Sequence, residues 1–144
     1  MMNTVNTLAP LLGRILLAVL FIPAGIHKIT GFAGTSAYMA SKGLPLTDVL
    51  LALTIIIELG GGIMLLIGLR AKEVALLIFL FLIPVTVIFH GFWAVEDAAM
   101  QSREQIAFMK NIGIMGGLLF VAAFGAGKFS IDNGMDKSTD KNDA

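Results

Sequence analysis

The sequence predicts an all-α, polytopic membrane protein folded as a bundle of four transmembrane helices, and three observations carry that expectation. Of its 144 residues, 57% are hydrophobic and only 14% charged, well above the apolar share of about 45–50% found in soluble domains. Four apolar stretches, at about 8–28, 47–69, 73–93 and 106–126, stand out along the chain. Each reaches the roughly 20 residues that a helix rising about 1.5 Å per residue needs to cross a hydrocarbon layer of about 30 Å. None carries the polar stripe that a helix of a water-soluble bundle turns to solvent.

The first stretch begins without side-chain charge, holds Arg14 in its interior and ends at His27 and Lys28. Its end, "FIPAGIHK", offers no small-x-small cleavage site, so it reads as a retained helix and not a signal peptide. The second contains "LTIIIELGGGIML", in which one carboxylate, Glu58, stands among apolar residues just ahead of three glycines. The third, "VALLIFLFLIPVTVIFHGFW", has no formal charge but carries Pro84, His90 and Trp93. The fourth carries Lys110 and Asn111 about one turn inside its start. Connectors fall at 30–45, 70–73 and 94–104, which makes 1–127 a single domain. From Lys128 onward, "KFSIDNGMDKSTDKNDA" mixes charge signs without apolar periodicity, and 128–144 reads as a polar, disordered cytoplasmic tail. The tight, basic 70–73 turn, with Arg70 and Lys72, points to both termini in the cytoplasm.

Composition excludes several function classes. A net charge of zero without a basic cluster argues against nucleic-acid binding. With no cysteine, thiolate chemistry, iron–sulfur clusters and cysteine zinc sites are out of reach of this chain alone. The glycines at 60–62 follow no strand, so they read as helix-packing residues and not as a phosphate loop, and Gly113 and Gly117 read the same way. Two histidines without further ligands do not make a metal site, and none is predicted.

Counted from Val49, Glu58 lies nine residues, or roughly 14 Å, into its span, near the bilayer midplane. An ionised carboxylate at that depth costs about 2.5–3.5 kcal/mol on insertion scales unless it turns inward and is paired. In an up-down bundle, His27, Lys28, His90, Trp93, Lys110 and Asn111 all belong to one leaflet, with Glu58 as the floor beneath them. Arg14 lies toward the other leaflet, on the helix face that it shares with Gly25 and Lys28, each within about 40° of it. The partner expected for Glu58 is Lys110, Lys28 or His90, and a purely structural ion pair is the competing reading.

The chain resembles the DoxX family, small four-helix bacterial inner-membrane proteins related to the DoxD subunit of thiosulfate:quinone oxidoreductases. The resemblance rests on "RILLAVLFIPAGIHKITGFAG", on "LPLTDVLLALTIIIELGGGIMLLIGLRAK" with Glu58 before the glycines, and on "FHGFW" followed by "FMKNIGIMGGLL". It implies an inner-membrane component of a quinone-linked oxidoreductase system, working in the lipid bilayer with a redox partner protein, and it admits a homo-oligomer. The cysteines of some relatives are missing here, which sets thiol chemistry aside. On the redox reading, Glu58 would relay a proton while His90 or Lys110 hydrogen-bonds a quinone carbonyl, and these three are the candidate catalytic residues. Arg14, His27, Lys28, Trp93 and Asn111 are then candidate substrate-binding residues. The alternative is a non-catalytic anchor or assembly partner for another protein, its polar residues purely structural.

Overall fold

The computed structural model describes residues 2–135. The chain forms α1 (Met2–Thr30), a short α2 (Phe32–Ser41), α3 (Thr47–Ile67), α4 (Ala71–Phe89) and α5 (Ala98–Phe124), with no strand among the described residues. The four long helices, the third counted on to Ala94, are long and apolar enough to cross a membrane. Only 22% to 28% of each apolar window is buried. The rest, including Leu12, Leu16, Val19, Leu80 and Phe120, faces outward, an arrangement suited to lipid and costly in water.

The helix ends differ from the sequence expectation where local chemistry favours extension or a stop. Helix α5 starts at Ala98, eight residues before the apolar stretch, because Asp97 caps it by accepting a hydrogen bond from the Met100 amide at 2.8 Å. Helix α4 ends at Phe89, and residues 92–94 turn as a 3₁₀ segment. The long first connector folds as α2, tied to the start of α3 by Ser36 Oγ, which contacts Thr47 Oγ1 at 2.7 Å and Asp48 Oδ1 at 2.6 Å.

Close packing inside the bundle is set by glycines. A Cβ at Gly25 on α1 would fall 2.8 Å from Leu59 Cβ, and one at Gly62 on α3 would fall 2.9 Å from Ile22 Cγ1. Each helix therefore supplies a glycine that receives a side chain of the other. Gly61 turns toward α4, where a Cβ would meet Ile78 Cδ1 at 2.9 Å. Around these contacts Leu17, Phe21, Leu65, Ile78, Leu82 and Leu118 form the core. Gly113 is different, since nothing lies within 4 Å of where its Cβ would be, and Gly117 meets only Leu17, at 3.7 Å. These two glycines border a groove and do not seat a neighbouring helix of the bundle.

The expectation of a disordered tail from Lys128 is corrected for the part described. Residues 131–135 form a helical turn, and Asp132 accepts hydrogen bonds from the amides of Arg70 (2.6 Å) and Ala71 (2.9 Å) at the start of α4. The Asp132 amide donates to Gly68 O at 3.0 Å. These bonds satisfy backbone groups that a helix end leaves open, which gives a polar segment a reason to fold back. Residues 136–144 lie outside the described part.

The glycine contacts yield a paired prediction. Gly62→Val should lower the thermal stability of the detergent-solubilised protein, by about 1–3 kcal/mol as for other overpacked sites. Gly113→Val should leave it unchanged, and circular-dichroism melting of the two variants checks both.

Candidate functional site

Glu58 is 6% exposed and sits in a π-helical turn, Ile56–Gly60, inside α3. Lys28 reaches it from α1, with Nζ 2.7 Å from Glu58 Oε2. Side chains on a helix lean toward its N-terminus. Helices α1 and α3 run in opposite directions, so Lys28 leans down into the layer while Glu58 leans up toward it. That opposition closes the depth difference between a residue near the end of α1 and one in mid-span of α3. The ion pair lies next to the close Gly25–Leu59 contact between the two helices. Widened π turns of this kind recur at functional positions in helices.

Arg14 is fully buried at the opposite end of the bundle. Its Nη1 donates to Leu65 O and Leu66 O, both at 2.9 Å, and its Nη2 donates to Phe129 O. Gly68, in the left-handed conformation at φ 68°, lies against the guanidinium, where a Cβ would come within 2.6 Å of Nη1. Arg14 thus satisfies carbonyls at the end of α3 and fastens the chain after α5 to them.

The other sequence-predicted residues are distributed and do not converge. His90 Nδ1 lies 2.7 Å from Glu104 Oε2, joining the end of α4 to α5. Asn111 is buried and donates from Nδ2 to Thr86 Oγ1 at 3.0 Å, a second link between the same helices. Trp93 is largely exposed and packs edge-on against Phe92 and Phe108, with ring centroids 5.4 and 5.7 Å away. His27 is exposed on the outside of α1. Lys110 is exposed and has no ion pair or hydrogen bond among the described residues, and Glu58 is paired with Lys28 instead. It lines a groove of about 1030 Å³ between α1 and α5, whose walls include Leu16, Leu20, Ile114, Phe120 and Val121.

The single outer-leaflet pocket with Glu58 as its floor is therefore not what the structure forms. Of the partners expected for Glu58, Lys28 is the one that reaches it. The residues that sequence reasoning missed are Glu104, Thr86 and Asp132, each a partner of a polar group or helix end. Glu104 and Asp132 lie in segments that read as solvated connector and tail, and Thr86 is one hydroxyl in an apolar span. Among the described residues, no group of three or more His, Cys, Asp or Glu side chains is placed to hold a metal ion.

A four-helix integral membrane bundle with an internal Lys–Glu pair is the class that this fold and site define. The chain belongs to the DoxX family, whose model matches residues 9–91. It is 38% identical to the inner membrane protein YqjF of Escherichia coli (strain K12) over 136 residues, covering 94% of this chain and 98% of that protein. It is 32% identical to the inner membrane protein YphA of the same organism over 122 residues, 85% of this chain and 86% of that one. A shorter match, 34% identical over 70 residues, covers 48% of this chain and 23% of the Surfeit locus protein 4 homolog of Schizosaccharomyces pombe (strain 972). No solved structure matches the chain.

Arg14 makes a prediction of its own. Arg14→Lys keeps the charge but cannot supply the planar fork that reaches three carbonyls. The variant should unfold at lower temperature and release the tail, so that protease cuts between Lys128 and Asp132 at a rate at which the wild type is intact.

Proposed function

We propose that this DoxX-family protein is a non-catalytic membrane component, an anchor or assembly partner for another protein, whose intramembrane charges hold its own bundle together. It would lie in the bacterial inner membrane with both termini in the cytoplasm. The carrying observation is that the charged groups expected around one pocket stand at separate places: Lys28 pairs with Glu58 at 2.7 Å, Arg14 with backbone carbonyls at the far end, and Lys110 lines the groove between α1 and α5. His90, at the end of its span, is likewise engaged by Glu104 at 2.7 Å. A proton relay serving a bound ring needs its titratable groups around one shared space. The location is supported by YqjF and YphA, both named inner membrane proteins, and the orientation by the basic turn at 70–73.

One observation favours the second reading, a membrane subunit of a quinone-linked oxidoreductase system that draws electrons from a redox partner protein. The groove between α1 and α5 is apolar, and Lys110 at its edge is able to donate a hydrogen bond to a quinone carbonyl. Titration of purified protein with a short-chain ubiquinone separates the two. The non-catalytic reading expects no saturable binding, and the same rate of quinone reduction by added dithionite, with its two-proton uptake, in the presence and absence of the protein. Saturable binding that is lost in Lys110→Gln, with a protein-dependent acceleration of that reduction lost in Glu58→Gln, would establish the redox reading in its place.

A further inference from the structure

The groove between α1 and α5 and the cation at its edge form a unit that the non-catalytic reading leaves without a role. Lys110 lies four residues inside the apolar part of α5, which begins at Ile106, or about 6 Å along the helix axis. It leans toward the N-terminus of α5, and hence toward the nearer membrane surface. Its ammonium has no counter-charge among the described residues, and no acidic side chain lines the groove. From Lys110 to Phe124 the groove follows α5 for about 21 Å. Its volume of about 1030 Å³ lies at the upper end of the roughly 300–1,000 Å³ typical of small-molecule sites.

We propose that this groove is a binding site for one anionic phospholipid, its phosphate paired with Lys110 and an acyl chain lying between Leu16, Leu20, Ile114 and Phe120. Charge complementarity selects that occupant. A flexible lysine one turn inside the layer carries its ammonium up to the phosphate level, and the apolar walls begin directly beneath it. A zwitterionic lipid carries its own ammonium beside the phosphate and compensates Lys110 less completely. A neutral quinone leaves the charge uncompensated. A second copy of the chain docked symmetrically on this face would add a like charge to the interface, and its own intramembrane acid, Glu58, is already held by Lys28.

The test is lipid retention. Protein reconstituted in nanodiscs of equal phosphatidylglycerol and phosphatidylethanolamine is released into the gas phase, and bound lipids are counted by native mass spectrometry. The wild type should retain phosphatidylglycerol in preference by about fivefold, the effect of one lysine near an anionic surface. Lys110→Gln should reduce the preference to parity, and Gly113→Leu should reduce total retention by filling the groove. Both positions are open, with nothing within 4 Å of a Cβ at Gly113, so both variants should melt with the wild type. Arg103→Gln, an exposed cation at the same end of α5 and outside the groove, should retain the full preference. The proposal is overturned by a wild type without preference, by a preference that survives Lys110→Gln, or by one that falls equally in Arg103→Gln. It is likewise overturned by unchanged retention in Gly113→Leu, the result expected if the groove seats a protein helix and the lipids bind elsewhere.

Discussion

A carboxylate in the middle of a bilayer has to be answered by a cation, and the Lys28–Glu58 pair at 2.7 Å is the constraint on which the rest of this bundle depends. Water is absent at that depth, so the charges must meet directly or the span does not insert favourably. Meeting directly requires α1 and α3 to approach closely. Gly25 and Gly62 make the approach possible, each lying where a Cβ would collide with the opposing helix. The π turn at Ile56–Gly60 lies at the same level and carries Glu58 itself. Pair, glycines and turn form one arrangement, in which changing any member loads the others.

Arg14 is the counterpart at the other end. Lys28 pairs charge with charge, whereas Arg14 answers helix-end carbonyls, which carry partial negative charge at the end of α3. Both cations stand on one face of α1, and both lean toward its N-terminus, so each reaches a group lying deeper toward the tail side than its own backbone. Asp132 completes the lower end by capping α4 while its own amide closes on Gly68. The turn between α3 and α4 is thus held by groups from both termini of the chain. A bundle of apolar helices in lipid gains little from hydrophobic association, so such polar locks fix register where apolar packing alone would let helices slide.

The four spans were legible because length and apolar content alone decide them. The inward turn of Glu58 was legible for the same reason that it exists, the cost of a charge in hydrocarbon, and Lys28 stood among its expected partners. The shared face of Arg14, Gly25 and Lys28 followed from helical period. Lys110 and Asn111 show where pattern stops. From Ile106 onward, helix α5 is apolar on all sides apart from Lys110 and Asn111, and hydrophobicity does not distinguish a face toward lipid from one toward neighbouring helices, so these two adjacent polar residues gave no sign of which was buried. Asn111 is inside against Thr86, and Lys110 lines the groove. The roles of Glu104 and Asp132 depend on which backbone and side-chain groups the fold brings near them, information that composition does not carry. The tail read as polar because it is polar, while the order of residues 128–135 comes from a helix end that needs the Asp132 carboxylate.

The central claim is that Lys28 and Glu58 stabilise the bundle as a coupled pair and not as separate polar side chains, and a double-mutant cycle in thermal or denaturant unfolding measures this directly. Glu58→Leu alone strands a cation, and Lys28→Met alone strands a carboxylate. Because the Lys28 side chain is 27% exposed, each single change should cost less than the about 3–5 kcal/mol of breaking a fully buried pair. The Lys28→Met, Glu58→Leu double variant, with no charge left to strand, should be more stable than either single variant and close to the wild type. Strictly additive losses, with the double variant the least stable of the three, would contradict the account.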